Sequence, residues 1–346
     1  MSSDKAGAMD VRDMEQRLGT FIARQLGADA VSVSGLRRLP GGASRETWSL
    51  DITYEQNGAA VRLPLVLRRD PPGAAIQAQR RDEFQLLRAA AAEGVPVPTM
   101  YWLADEAETL GAPFFLMQRI EGETIARRLL RDDAYAETRR VMTAQLGRVL
   151  AAIHRIDRVK HGLTFLVAPS ADTPAAAELD RYEQIFRFIT PDPHAAFELA
   201  FRWLRERLPP CDRPVVVHGD YRIGNVIFGP EGLRSILDWE LAHVGDPMED
   251  LGWLCVRSWR FGNDDRPVGG IGMREELFRA YEDAGGGRID PQHVRFWEVL
   301  GNLKWAIMTI MQAKTFLDGL VHSVELASLG RRTAEMELEL LNLMEG

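Results

Sequence analysis

Cysteine is nearly absent from this 346-residue chain, which has Cys211 and Cys255 and no others. They are too far apart for a CxxC pair and form no zinc set with the seven histidines. That excludes a disulfide-stapled scaffold and leads us to expect two buried thiols in a reducing compartment. Positive charge is also short: 42 Lys and Arg face 50 Asp and Glu, and the net charge of −8 argues against a nucleic-acid partner. No apolar run is long enough to span a bilayer, and the opening MSSDKAGAMDVRDME has no apolar segment of the kind a secretory signal needs. A cytoplasmic protein without a membrane partner is therefore expected. Internal repeats and low-complexity tracts are missing too. What remains is ordinary globular composition, 46% apolar and 27% charged, at a length that suggests two lobes around a cleft.

Val11, Met14, Leu18, Phe21, Ile22 and Leu26 recur at helical spacing and predict a first helix ending near Gly27. Alternating runs at 31–39, 47–54 and 61–68 then predict an antiparallel three-stranded start, with Gln56-Asn57-Gly58 as a hairpin turn. A helix over 78–93, the breaker Val95-Pro96-Val97-Pro98 and strands near 100–104 and 114–120 complete this part. Glu121-Gly122 reads as a hinge, dividing the chain into an N-terminal lobe of residues 1–120 and a C-terminal lobe of residues 121–346. Beyond it long helices dominate, with a stripe of Met142, Leu146, Val149, Leu150 and Ile153. The exceptions are short strands at 215–217, 226–228 and 233–237. Helices over 291–317 and 322–344 close an α+β chain.

The stretch VVVHGDYRIGN, residues 215–225, delivers an aspartate at the end of a β-branched run and an asparagine after four intervening residues. Phosphoryl-transfer loops have this form: the aspartate takes the proton of an incoming hydroxyl and the asparagine holds Mg²⁺. Asp220 is thus the candidate base and Asn225 a candidate metal ligand. SILDWE, residues 235–240, ends a second apolar run in Asp238, the expected second metal ligand, with Glu240 as either a further metal neighbour or a solvated carboxylate. The two loops matter jointly, because a base and metal-binding oxygens must converge on one γ-phosphate. His218 reads as a lock on the loop backbone, and Asp250 as a possible brace for it. Asp246-Pro247-Met248-Glu249 reads as an N-cap, a proline at the first helical position and a capping box.

In LPGGASRETW, residues 39–48, Gly41-Gly42 would let backbone N–H groups approach phosphate, although no GK[ST] follows to make a Walker loop. The next strand, ending LVLR at Arg68, is placed to bring a cation to the phosphates, and Glu83 on the following helix is placed to orient it. An exposed strand-end arginine and a solvated glutamate are the alternatives. Met142, His154 and His161 need no ligand role. Arg257, Trp259, Arg260 and Arg266 fall in a glycine-containing segment that is either substrate-facing or plain surface.

Together these segments resemble the aminoglycoside phosphotransferase family, part of a kinase-like superfamily that includes choline, fructosamine and homoserine kinases. VLRRDPPG and LDWELAHVGDPMEDLGWL more narrowly resemble its branch that stands alone in bacteria or is fused to acyl-CoA dehydrogenases, in which arginine replaces the usual lysine. The resemblance implies a bilobal protein-kinase-like fold, with an N-terminal antiparallel sheet lobe and a mainly helical C-terminal lobe. It implies that Gly41, Gly42, Ser44 and Arg68 hold phosphates, that Gln118 to Ile120 bond the nucleotide base, and that the helical lobe takes a small-molecule acceptor. The expected activity is transfer of the γ-phosphoryl group of MgATP or MgGTP to a hydroxyl, with a hydroxyacyl-CoA or hydroxy acid as the favoured acceptor. An aminoglycoside kinase, a nucleotide-binding pseudokinase and an acyl-CoA-binding accessory protein are the competing readings.

Overall fold

A computed structural model describes residues 10–39, 46–70, 79–169, 173–190 and 192–345. The chain divides into two compact units, Met1–Ala92 with Val97–Glu121, and Glu93–Pro96 with Gly122–Gly346.

The first unit opens on helix α1 (Val11–Leu26), whose Met14, Leu18 and Ile22 lie on one buried face. Gly27 ends it in the left-handed region, and the Gly27 and Ala28 N–H groups both return to the Ala23 carbonyl. Strands β1 (Val31–Arg38), β2 (Glu46–Gln56) and β3 (Ala59–Arg69) follow, then helix α2 (Gln79–Ala92) and strands β4 (Met100–Ala104) and β5 (Phe114–Gln118). The five strands form an antiparallel sheet in the order β1-β2-β3-β5-β4. Asn57 and Gly58, both at positive φ, make the tight turn that sets Gln56 opposite Ala59 and so fixes the β2–β3 register. In that register Leu50, Ile52, Leu65 and Leu67 project into one core with the apolar face of α1.

The second unit is mainly helical. Its helices α3 (Ala126–Arg131), α4 (Ala136–Ile153), α5 (Pro174–Ile189) and α6 (Ala195–Arg205) precede strands β6 (Val215–Val217), β7 (Val226–Gly229), β8 (Gly232–Ile236) and β9 (His243–Gly245). Helices α7 (Pro247–Leu254), α8 (Arg274–Asp283), α9 (Pro291–Leu317), α10 (Val324–Leu329) and α11 (Thr333–Glu345) complete it. β6 pairs with β9 and β7 with β8, both antiparallel. Helix α9, about 40 Å long at 1.5 Å per residue, is the axis of this unit. α7 presses against it at Gly252, where a Cβ would stand 2.7 Å from the Trp297 and Glu298 backbone. Among the described residues no helix is long and apolar enough to cross a membrane.

Several details differ from the sequence reading. The helix expected over 322–344 is two helices, α10 and α11, joined by a 3-10 turn at Gly330–Arg332. Cys211 is half-exposed rather than buried, and Cys255 alone is enclosed. The expected capping box is half-formed: Asp246 accepts from the Met248 N–H, but Glu249 turns to His243 and Lys304 and does not reach back.

Candidate functional site

The β6 strand delivers His218, Gly219 and Asp220 into a loop whose backbone is held from beneath. Asp250 on α7, fully buried, accepts the His218 N–H at 2.7 Å and the Gly219 N–H at 2.9 Å. It also accepts from His154 Nε2 at 3.2 Å, and His154 Nδ1 in turn meets the Tyr281 hydroxyl at 2.8 Å. Burial alone would raise the Asp250 carboxyl, but these donors outweigh it and hold the group below the ordinary carboxylate range. Gly219 sits at φ 77°, where a Cβ would lie 2.3 Å from the Leu241 carbonyl, so the loop has no room for a side chain there.

His218 donates from Nε2 to the Leu237 carbonyl at 3.0 Å and accepts the Asp220 N–H at Nδ1, 3.2 Å away. Burial lowers its proton affinity and keeps it neutral, as a ring that accepts on one nitrogen must be. It therefore ties the Asp220 loop to the strand leading into Asp238, which is the locking role its position suggested.

The Asp220 carboxylate is held by three donors. Oδ1 accepts from Trp253 Nε1 at 2.8 Å and from Arg222 Nε at 3.0 Å, and Oδ2 accepts from Asn225 Nδ2 at 2.6 Å. The same Asn225 nitrogen bonds the Asp220 carbonyl at 2.9 Å, so the amide turns its nitrogen to Asp220 and does not use its Oδ1 in either contact. The Asn225 carbonyl accepts the Leu237 N–H at 2.8 Å, so the two loops are joined one residue short of Asp238. Asp238 lies at φ 64°, ψ 65°, rare for a residue with a side chain. Its carboxylate has no hydrogen-bond or ion-pair partner among the described residues. An amide oxygen and a carboxylate are both hard oxygens of the kind that suits Mg²⁺, which takes few protein ligands.

Further residues close around the Asp220 loop. The Arg222 guanidinium lies 4.7 Å over the Trp259 ring, which packs on Trp253 and Trp305. Lys304 of α9 is buried, 4.8 Å over Trp253, 3.6 Å from Glu249 and 3.5 Å from the Gly219 carbonyl. Burial works against its charge, but Tyr182 and the Glu249 carboxylate outweigh it and keep the ammonium protonated. Trp259 and Arg260, two of the four residues considered substrate-facing, are enclosed. Trp259 belongs to this aromatic cluster, and Arg260 is bound to Glu298 and the Cys255 carbonyl. Arg257 lines a cavity. Glu240 is exposed.

In the first unit, Arg68 Nη1 meets Glu83 Oε1 at 2.6 Å, as the strand-then-helix order suggested. Glu83 also takes Arg80 at 2.6 Å, and Arg80 takes Asp70 at 2.7 Å, so the carboxylate is fixed from two sides. Gln118 and Arg119 give their N–H groups to the Thr99 and Pro64 carbonyls, which leaves Ile120 as the N–H donor of that stretch. Gly41, Gly42 and Ser44 lie outside the described residues.

Sequence reasoning missed Arg222, Trp253 and Lys304. Lys304 had left a signal, a lone cation inside the apolar run Leu303-Lys304-Trp305-Ala306-Ile307. Arg222 stood two residues from Asp220 in the same motif and was passed over, whereas Trp253 had no signal, because nothing local marks an indole 33 residues away as a donor to Asp220.

Residues 35–297 match the model of the phosphotransferase enzyme family. Mouse acyl-CoA dehydrogenase family member 10 is 28% identical over 280 residues, which is 77% of this chain and 25% of that protein. The chain spans about a quarter to a third of the length of the curated relatives it matches. Among solved structures, a Ralstonia eutropha protein provisionally named an aminoglycoside phosphotransferase aligns at TM-score 0.77 and 23% identity, covering 98% of this chain and 99% of that one. The ternary complex of APH(2")-IIa with streptomycin and ATP aligns at TM-score 0.55 and 15% identity, covering 88% and 91%. These likenesses bear out the kinase-like fold and the dehydrogenase-linked branch that the motifs indicated.

Proposed function

We propose, for a chain that belongs to the phosphotransferase enzyme family, a small-molecule kinase that moves the γ-phosphoryl group of MgATP or MgGTP to a hydroxyl placed against Asp220. The carrying observation is the state of that carboxylate. An ionised carboxylate offers about four lone-pair sites, and Trp253, Arg222 and Asn225 occupy three, leaving one on Oδ2 for an incoming O–H. A base so fixed has one direction from which to accept a proton, and positioning is the larger part of what a phosphoryl-transfer site contributes. As the acceptor O–H proton passes to Oδ2, the acceptor oxygen bonds the γ-phosphorus and the bridge to the nucleoside diphosphate breaks.

Asn225 Oδ1 and Asp238 would hold Mg²⁺, which when bound neutralises phosphate charge. Arg68, steadied by Glu83, would contact the nucleotide phosphates, with Gly41, Gly42 and Ser44 as the covering loop, and Gln118 and Ile120 would meet the base. The favoured acceptor is a hydroxyacyl thioester of CoA or a related hydroxy acid, in a cytoplasmic setting. The dehydrogenase-linked relatives and the arginines of the second unit support it over a polycationic aminoglycoside, which would call for clustered carboxylates.

The test is a mass-spectrometric screen of hydroxyacyl thioesters and aminoglycosides for a gain of one phosphoryl group, with the Asp220→Asn variant beside the wild type. Transfer to a thioester, lowered on the order of a hundredfold or more in Asp220→Asn with MgATP affinity kept, is expected. Equal turnover in the variant would remove Asp220 from the mechanism, and efficient transfer to aminoglycosides alone would replace the acceptor.

A further inference from the structure

In a chain of net charge −8, one cavity of the second unit, about 540 Å³, is lined by four arginines: Arg127, Arg131, Arg257 and Arg332. Arg257 and Arg332 have partners, Asp264 at 2.9 Å and Glu335 at 3.3 Å. Arg127 and Arg131 are four residues apart on α3 and so share a face; both are exposed, and neither makes an ion pair among the described residues. Arg128 between them turns the other way, to Glu123 and Asp132. Phe261, Met336 and Leu338 supply an apolar lining beside the cations.

The cavity is linked to the chemistry. Arg257 and Ser258 in its wall belong to the short turn that carries Trp259, and the Trp259 ring lies under Arg222, which holds Asp220. A ligand seated here touches the segment that shapes the surroundings of the base.

We infer that this cavity is the subsite for the phosphate-bearing end of the acceptor, with Arg127 and Arg131 as its free cations and the apolar lining receiving an adjoining aliphatic or aromatic stretch. Guanidinium groups suit this task because each presents a planar fork of donors to phosphate oxygens. The inference rests on the proposed kinase reading and adds to it the part of the acceptor remote from the hydroxyl.

The experiment has a binding arm and a turnover arm. In the first, butyryl-CoA, which has no hydroxyl on its acyl chain to react, is titrated by calorimetry into the full chain with saturating MgADP present, so that the nucleotide site is filled. Wild type should bind it at least about tenfold more tightly than R127A/R131A does, with R127K/R131K in between because charge without the fork recovers part of the contact. Both side chains are exposed, so folding is not at stake. In the second arm, kcat/KM for 3-hydroxybutyryl-CoA is compared with that for the same acyl group on N-acetylcysteamine, which has no phosphates. The preference for the CoA form should fall about tenfold or more in R127A/R131A, through KM. Identical butyryl-CoA affinity in wild type and double alanine variant, or no CoA preference in the wild type, would overturn the subsite. Absence of transfer to any hydroxyl would sink the kinase reading, while the calorimetric arm still decides the subsite.

Discussion

Replacing Asp250 by Asn separates the brace beneath the base from the base itself. The carboxylate accepts three hydrogen bonds at a position with no solvent exposure. A carboxamide keeps one acceptor oxygen. Its best orientation leaves that oxygen on the His218 N–H and His154 side and turns the NH₂ toward the Gly219 N–H, a donor facing a donor. A buried N–H left without a partner costs about 1–3 kcal/mol, and each surviving bond drops from charge-assisted to neutral, about 1 kcal/mol apiece. The sum is a loss of about 3–5 kcal/mol of folding stability at pH 7. Because Gly219 precedes Asp220, its released peptide also lets the base drift, and a misplacement of about 1 Å can cost a hundredfold in rate. The pH dependence has a definite sign. The folded-state value of Asp250 is depressed, so its contribution is present above the ordinary carboxylate range and is lost as pH falls through the lowered value. Urea unfolding of wild type and Asp250→Asn at neutral pH and in acid should show a wide gap that narrows on acidification. A gap below about 1 kcal/mol at pH 7, inside the range of ordinary surface substitutions, would refute the bracing argument. A double-mutant cycle with His154→Ala should return a coupling of about 1 kcal/mol or more.

Asp238→Ala should weaken Mg²⁺-dependent nucleotide binding in calorimetry, since it removes a carboxylate that has no structural partner; wild-type MgATP affinity would refute the ligand role. Arg68→Ala should raise the Michaelis constant for ATP, and Arg68→Lys should recover part of the loss because lysine cannot engage Glu83 and phosphate through one planar fork; full activity in the alanine variant would make Arg68 structural only. Burial lowers the His243 imidazole, but Glu249 at 3.1 Å outweighs it and lifts the group to about 9. The stability it contributes is complete below its ordinary value, about 6.5, and is lost as pH rises through about 9. Thermal melts between pH 6 and 10 should therefore lose stability in the wild type more steeply than in His243→Gln, and parallel curves would contradict the pairing.

The parts of the fold legible in the sequence were those fixed by near neighbours. Asn57-Gly58 set a hairpin because both residues accept positive φ, and the helix expected from 291 begins there, with Asp290 as its cap and Pro291 at its first position. The features that failed are decided at a distance. β9 is three residues long and exists through pairing with β6, so no periodicity could develop in it. Glu249 has the spacing of a capping box, yet His243 and Lys304 offer the buried carboxylate two cations in place of one N–H.

The same division runs through the site. The contact of Asp220 with Asn225 was readable because the motif sets them a few residues apart, and that of Arg68 with Glu83 because a strand followed by a helix predicts their meeting. Trp253, 33 residues away, was not, and Arg222 was overlooked although it stands two residues from Asp220; together they make two of the three hydrogen bonds that fix the Asp220 carboxylate. An indole N–H is a donor only, and a buried one without an acceptor is costly. Trp253 is buried and donates its N–H to Asp220, while the neighbouring Trp259 and Trp305 have nitrogens with no acceptor among the described residues. Of three packed tryptophans, then, the one aimed at the base is satisfied. That selectivity places Trp253 as a positioning residue whose orientation follows from the carboxylate it holds, and Trp253→Phe should retain the packing under Lys304 while freeing one lone pair of Oδ1.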